Sequence, residues 1–478
     1  MKRGILLAIM FLVSLCQAEV RSLWVLPWNI KTPQSIDAVI DDAIANNQNE
    51  LLLEVRYRSD ALYTPNRLSD RYYNPEPRSY ILDNSWFDPL DYAIGRAKES
   101  GLRVQAWVVV FNATPLDRER LQENYMFQNH QDWLTRDGNG QRMNSREQYG
   151  YFLDPGVPEV QEYLLDIFSD IVDSYPQLDG IHLDYIRYPS NAFGYHPSSV
   201  ERYQECKKHE ELSWNEWRIR QVTEFVQKLG IRLKSIKPEL ILSAAVFSNI
   251  YEARKLYAQD WFDWLNRDLI DIAYPMEYHV KYPNFVDQMQ AMQDIGKLDK
   301  IVVGLRAWNA KGGSLTEGQS PSYNINHIED RIRYIREHEF AGIALFSYEG
   351  IIKDSVLRSL ADRVYPEAVR LPELLAEASF APGADAYFEA TGDSYRVELI
   401  IPREGRWHWE IRDPDNALIY QRMRYYYQGM NEDQFSGILA NGQRIPNGSY
   451  LLHLDKPGSD IKFVIPIIFE EQILERSE

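Results

Sequence analysis

A chain of 478 residues with 45% apolar and 26% charged side chains is ordinary for a soluble globular protein and long enough for two domains, each with its own core. A net charge of −18 excludes a field that would gather nucleic acid or an anionic membrane surface. Of the two cysteines, Cys16 and Cys206, the first lies in an apolar leader-like stretch, and its loss would leave too few thiols for a Cys/His zinc cluster or a dithiol redox pair.

The chain opens as an export signal. Lys2 and Arg3 precede an apolar stretch over 5–15, and Cys16-Gln17-Ala18 resembles a small-x-small cleavage site. The stretch is short for a bilayer span, so no membrane-spanning segment is expected. Leu15 stands where a lipoprotein signal wants a small residue, so cleavage after Ala18 is favoured over lipid attachment at Cys16. Removal of 1–18 takes away two basic residues and no acid, moving the charge from −18 to −20, and leaves Cys206 without an internal disulfide partner. The expected location is periplasmic or extracellular.

From residue 19 to 365 short apolar runs alternate with amphipathic stretches. Strands are predicted at 22–28, 50–56, 103–111, 180–185, 241–247, 270–276, 300–305 and 342–348. Helices are predicted at 33–46, 86–100, 157–175, 214–236, 283–296 and 328–338; in the third, Val160, Leu164, Ile167, Ile171 and Val172 follow helical spacing. This order predicts an α/β fold, a (β/α)8 TIM-like barrel. No Gly-rich phosphate loop follows the first strand, which disfavours an open nucleotide-binding sheet, and no cofactor is expected. The long connections 62–85, 112–156 and 189–213 are rich in Tyr, Asn, Pro and Arg, as the walls of a substrate groove would be.

Residues 366–384 read as a short helix and linker. Residues 385–478 carry alternating segments at 395–401, 407–412, 422–427 and 449–454, which predict a small all-β sandwich. Gly442-Gln443 and Pro446-Asn447-Gly448-Ser449-Tyr450 are similar to an immunoglobulin-like module, which would brace the barrel, bind glycan, or meet an envelope or divisome partner.

In a parallel barrel, residues at the carboxyl ends of strands line the active site. Asp184 ends the run Gly180-Ile181-His182-Leu183-Asp184 and is the first catalytic candidate; its structural alternative is a loop-holding pair with Arg187. A barrel with a strand-end carboxylate suggests glycoside hydrolysis, which needs a second carboxyl group across the scissile bond. Glu277, ending strand six, is the preferred partner, and Glu349, after strand eight, is the rival. Glu54 is expected to pair with Arg56 or Arg58.

His182 alternates with Asp184 and could face the mouth. Asp60 is a further candidate, and Asp154 could equally cap the following helix. Arg56 and Arg187 are candidates to hold a substrate carboxylate or to tune Asp184. Trp28, Trp107, Tyr185, Tyr278 and Trp308 could form sugar platforms, in keeping with 31 Tyr, 12 Trp and 18 Phe, although core packing uses the same residues. Asn112 and Asn309 could bond hydroxyl or acetamide groups. No metal site is expected.

Several segments, taken together, carry a resemblance: Arg21-Ser22-Leu23-Trp24-Val25, Glu54-Val55-Arg56, Ser59-Asp60-Ala61-Leu62-Tyr63, Leu153-Asp154-Pro155-Gly156 and, most specifically, Asp179-Gly180-Ile181-His182-Leu183-Asp184-Tyr185-Ile186-Arg187-Tyr188-Pro189. In this order they resemble the glycosyl hydrolase-like ten family of exported bacterial proteins. The resemblance implies a TIM-like barrel and an envelope glycosidase, one member of the family cleaving peptidoglycan glycan strands that lack stem peptides. Where relatives run Pro-Gln-x-Tyr-Trp, this chain has Pro275-Met276-Glu277-Tyr278-His279. The expected activity is hydrolysis of a polysaccharide, with a non-catalytic glycan-binding barrel or a hydrolase of another hexosamine polymer as alternatives.

Overall fold

The computed structural model describes residues 18–372 and 385–469, apart from 70, 85, 144–149, 209–210, 295, 309–322, 354, 392–393, 402–404, 414–416, 427–428, 440–442, 447 and 458–461. Residues 1–17 of the expected signal, with Cys16, as well as Asn309 and most of the expected 366–384 linker, therefore lie outside the described residues. Eight parallel strands run in chain order: β1 (Val20–Val25), β2 (Glu50–Tyr57), β3 (Arg103–Val109), β4 (Gly180–Asp184), β5 (Ile241–Phe247), β6 (Ile272–Glu277), β7 (Val302–Arg306) and β8 (Gly342–Phe346). Each pairs with the next, and β1 pairs with both β2 and β8, so the sheet closes. A closed sheet has no open edge, and every strand can be buried on both faces.

Helices pack outside. Pro33–Ala45 begins with a Thr32–Ser35 capping box, and Trp214–Ile236 with a Ser213–Glu216 box. Pro158–Ser174 lays Val160, Leu164, Ile167, Phe168 and Ile171 against the strands. The long connections are more ordered than their composition suggests: Arg118–Glu123, Tyr125–Asn129 and Pro197–Cys206 are helical. No helix of the described residues is long and apolar enough to cross a membrane.

Beyond the barrel lie two antiparallel sheets. One orders Asp385–Thr391, Ser394–Ile401 and Gly429–Phe435; the other orders Leu418–Tyr426, Gly405–Arg412, Gly448–Asp455 and Lys462–Phe469. Val397, Leu399 and Ile401 alternate inward with Trp407, Trp409, Ile411, Leu452 and Leu454 to form their core.

Inside the barrel, side chains stack in layers drawn from alternate strands, because an eight-stranded barrel shifts register by about two residues every two strands. Glu54 is level with Trp107, and Trp107 with His182; the shift carries the layer on to Asp184. The same step leads through Ala245 and Tyr274 to Met276, then through Gly304 and Ala344 to Phe346. The mouth layer is thus Glu54, Asp184, Met276 and Phe346. Below it lie Trp24, Trp107, Ala245 and Gly304, and below those Leu52, His182, Tyr274 and Ala344. A Cβ on Gly304 would sit 2.7 Å from Trp24 Cη2, so the missing side chain makes room for the indole.

The lower layers are polar and ordered in one direction. Trp24 Nε1 donates to His182 Nε2 (3.0 Å), which leaves Nδ1 to donate to Ser243 Oγ (2.8 Å). Ser243 donates to Gln105 Oε1 (2.7 Å), and Gln105 donates to Glu50 Oε2 (2.9 Å). Tyr274 Oη also donates to Glu50 (2.5 Å), as do Ser22 and Arg103. Burial pushes the Glu50 carboxyl up, but Arg103 and the donated bonds outweigh it and hold it below its ordinary range. Burial keeps His182 neutral, with its pKa lowered to about 3.

Glu50→Ala strands the buried Arg103 cation and should lower the unfolding free energy at pH 7 by about 3–5 kcal/mol. Because the folded carboxyl is depressed, its stabilisation is present above its unfolded pKa and is lost as pH falls through the folded value. Urea unfolding at pH 7 and at acid pH should show a wide gap from the wild type that closes in acid. A gap below about 1 kcal/mol at pH 7 would contradict this role.

Candidate active site

Asp184 ends β4 with 8% of its surface exposed. Tyr185 turns out of the strand at φ 52°, which brings its own N–H onto Asp184 Oδ1 at 2.6 Å. Trp107 Nε1 donates to Oδ2 at 3.2 Å. Burial pushes the Asp184 carboxyl up, while the Tyr185 N–H, Arg187, Trp107 and Arg58 pull against it. Burial wins, so the carboxyl lies above its ordinary range, a desolvated group with two fixed donors.

The second acid of the mouth layer is Glu54. Its carboxyl is pushed up to about 8, first by burial and then by the charge of Asp184, with Arg58 opposing. No described residue hydrogen-bonds it. Two carboxyls on strands two apart therefore differ in kind: one is tied to donors, the other holds its proton near neutrality. Such a pair is what acid/base chemistry on a sugar requires.

Glu277 is placed elsewhere. β6 turns Ile272, Tyr274 and Met276 toward the barrel axis and Glu277 away from it; Leu305, its register partner, belongs to the helix-side core. Glu277 Oε1 receives the His279 backbone N–H at 3.3 Å and lies 2.7 Å from His279 Nδ1. The expectation that Glu277 flanks the cleft with Asp184 is corrected by this alternation: the inward slot belongs to Met276. Glu349 lies in the helix after β8, exposed, and accepts from Trp28 Nε1 at 2.9 Å on the rim.

Other candidates divide between the mouth and its supports. Arg56 follows a register irregularity in β2 that turns it to the helix side, where it is fully buried in an ion pair with Glu76 (2.5 Å) over the Phe168 ring. It is therefore not placed to hold substrate. His182 faces the axis two layers below the mouth, with both ring nitrogens engaged. Asp154 accepts from Thr135, Ser199 and the Gly156 N–H, tying together loop segments; the N-cap position of the following helix is Val157, and no side chain caps it. Asn112 is buried where its backbone bridges to Phe152. Asp60 belongs to a two-residue arm turned back onto β2, where burial and then Glu76 push its carboxyl up to about 8.

Trp107, only 4% exposed, serves Asp184 as a donor and offers no open face. Tyr278 stacks on Phe346 (5.6 Å), and Trp308 meets both edge-on (5.3 and 5.8 Å), forming an aromatic wall beside Met276. Burial and the charge of Asp184 push the Tyr278 hydroxyl well up. Tyr185 lies between Arg58 (5.5 Å) and Arg187 (4.7 Å). Trp28, 41% exposed, stands edge-on to Tyr57 at the rim. Glu54 and Arg58 are the mouth residues that sequence reasoning passed over; counting β2 and β4 in one barrel phase would have found the first.

A model of the family described as glycosyl hydrolase-like 10 matches residues 17–306, which takes in seven of the eight strands and every residue of the carboxyl pair. The chain belongs to this family. Among curated relatives, the glycosyl hydrolase DigH of Escherichia coli K12 is 26% identical over 222 residues, 41% of this chain and 48% of that protein. The glycosyl hydrolase YngK of Bacillus subtilis is 22% identical over 238 residues, 46% of this chain and 43% of that protein. The match spans about half the length of these relatives. Among solved structures, a β-galactosidase from Bacillus circulans sp. alkalophilus aligns at 10% identity with a TM-score of 0.48, over 73% of this chain and 56% of that one. The carboxyl pair thus sits within the segment that defines the family, whereas Glu349 lies outside it.

The raised Glu54 has a thermodynamic signature. A carboxyl whose folded pKa is about 8 contributes fully to stability below its unfolded value of 4.5, and that contribution is lost as pH rises toward 8. Glu54→Gln should therefore melt close to wild type near pH 4 and above it at pH 8–9. Thermal melts across this range test it, and parallel curves would mean that Glu54 is not buried and raised.

Proposed function

We propose that this protein is an exported glycoside hydrolase of an envelope glycan, with peptidoglycan glycan strands as the leading substrate. The observation that carries the reading is the unlike carboxyl pair, Glu54 and Asp184, in one layer at the barrel mouth. Glu54 holds its proton up to about pH 8 and gives it to the leaving glycosidic oxygen. Asp184, oriented by the Tyr185 and Trp107 N–H groups, attacks the anomeric carbon or draws a proton from the attacking water. Arg187 and Arg58 favour the ionised form of Asp184. The Tyr278–Phe346–Trp308 wall supplies an apolar face for a sugar ring. Membership of a glycosyl hydrolase-like family, the signal-like residues 1–18 and an acidic chain without a nucleotide motif support the same reading.

Purified peptidoglycan glycan strands freed of stem peptides are the substrate for the test, with new reducing ends as the readout. Wild type should release them, Glu54→Gln should slow release by roughly 10²–10⁴-fold, and Asp184→Asn should do so at least as strongly. Glu277→Gln should stay within about threefold of wild type, since its side chain points away from the mouth. The rate should fall as pH passes about 8, where Glu54 loses its proton. Zero release by wild type from these strands and from other hexosamine polymers, with binding retained, would sink the hydrolase reading in favour of a glycan-binding barrel.

A further inference from the structure

Three guanidinium groups surround the mouth of a chain whose net charge is −18. Arg58 follows β2, Arg187 follows β4, and Arg306 takes the inward slot of β7, level with Phe346. The described acids form ion pairs with Arg21, Arg56, Arg103 and Arg336, yet with none of these three. Aromatic rings flank them instead. Arg187 lies over Tyr185, Phe247, Tyr257 and Phe152 at 4.6–5.8 Å, and Arg306 over Trp308 at 4.7 Å.

Arg58 is the strictest case. It is 8% exposed, and its Nε and Nη1 are buried without a hydrogen-bond partner among the described residues. Its backbone is fixed at φ 56°, and its carbonyl receives Asn124 Nδ2 at 2.7 Å. The guanidinium lies over the Tyr57 and Tyr185 rings at 5.3 and 5.5 Å. Its charge reaches Glu54 and Asp184, but neither carboxylate bonds to it. A planar fork of donors, buried, held in place and left unpaired beside the reacting centre, is complementary to a carboxylate. A hydroxyl or amide oxygen would satisfy one donor and leave the charge uncompensated.

We propose that Arg58, backed by Arg187 and Arg306, binds a carboxylate carried by the sugar beside the scissile bond, so that the preferred substrate is an acidic glycan rather than a neutral one. This inference rests on the hydrolase reading and narrows its substrate class. It also fits the chemistry: a substrate carboxylate that engages Arg58 weakens the pull of that cation on Glu54, so the acid keeps its proton in the complex.

The test uses one batch of peptidoglycan glycan strands freed of stem peptides, half of it with the sugar-borne carboxyls reduced to alcohols. Initial rates of reducing-end release are measured for wild type, Arg58→Gln and Arg58→Lys, and equilibrium binding of both preparations is measured with Asp184→Asn. Wild type should favour the unreduced strands at least tenfold in kcat/KM, mainly through KM. Arg58→Gln should lose that preference, and Arg58→Lys, which keeps the charge without the fork, should fall between. If the buried variants do not fold, the wild-type preference and its loss in the more exposed Arg306→Gln decide the matter.

Cleavage of both preparations at equal kcat/KM overturns the carboxylate site and leaves the hydrolase reading standing. Tighter binding of unreduced strands without cleavage supports the carboxylate site and overturns the hydrolase reading. Neither binding nor cleavage overturns both.

Discussion

The buried charge of Glu50 is the constraint around which the barrel interior is built. An ionised carboxylate at the foot of a closed barrel is tolerable only when its lone pairs are filled and its charge is matched. Ser22, Tyr274, Gln105 and Arg103 meet that demand from three strands, the last two both on β3. Gln105 must then present its carbonyl to Ser243, which fixes the proton on His182 Nδ1 and leaves Nε2 to accept from Trp24. One carboxylate thereby sets the direction of each hydrogen bond up to the Trp24–Trp107 layer, and that layer carries the N–H group that holds Asp184.

Four residues further along the same strand, Glu54 has the opposite environment. Both glutamates are buried, yet the Glu50 carboxyl is held down and the Glu54 carboxyl is pushed up to about 8. The difference lies in partners: Glu50 has four donors, one of them the Arg103 cation, whereas Glu54 has a like charge nearby and no bond from a described residue. One serves stability and the other has the properties of an acid catalyst, and only their neighbours distinguish them.

Much of this was legible in the sequence. The eight strands fall within a few residues of their predicted limits, because β-branched and aliphatic runs bounded by helical periodicity leave few other folds open. The place of Asp184 at the carboxyl end of β4 was legible because it ends such a run. The phase of each strand was not. Parallel strands buried on both faces read as continuous apolar runs, so Ile272-Ala273-Tyr274-Pro275-Met276 gives no sign of which residues face the axis. That hid the outward turn of Glu277. In β2 the irregularity between Glu54 and Arg56 sends the glutamate inward and the arginine outward, a separation that a Glu-Val-Arg triplet conceals. Asp154 looked like a site residue because a polar side chain that knots long loops resembles one that lines a groove.

The mouth layer has four positions with a chemical gradient across them. Glu54 and Asp184 occupy two successive positions, and Met276 and Phe346 occupy the other two, extended by Tyr278 and Trp308. The barrel's approximate fourfold symmetry is broken where a ligand would enter. A sugar ring arriving along the axis meets charge on one flank and aromatic carbon on the other, so its rotation about that axis is restricted before any loop touches it. Orientation, in such a cleft, is a property of the strands themselves.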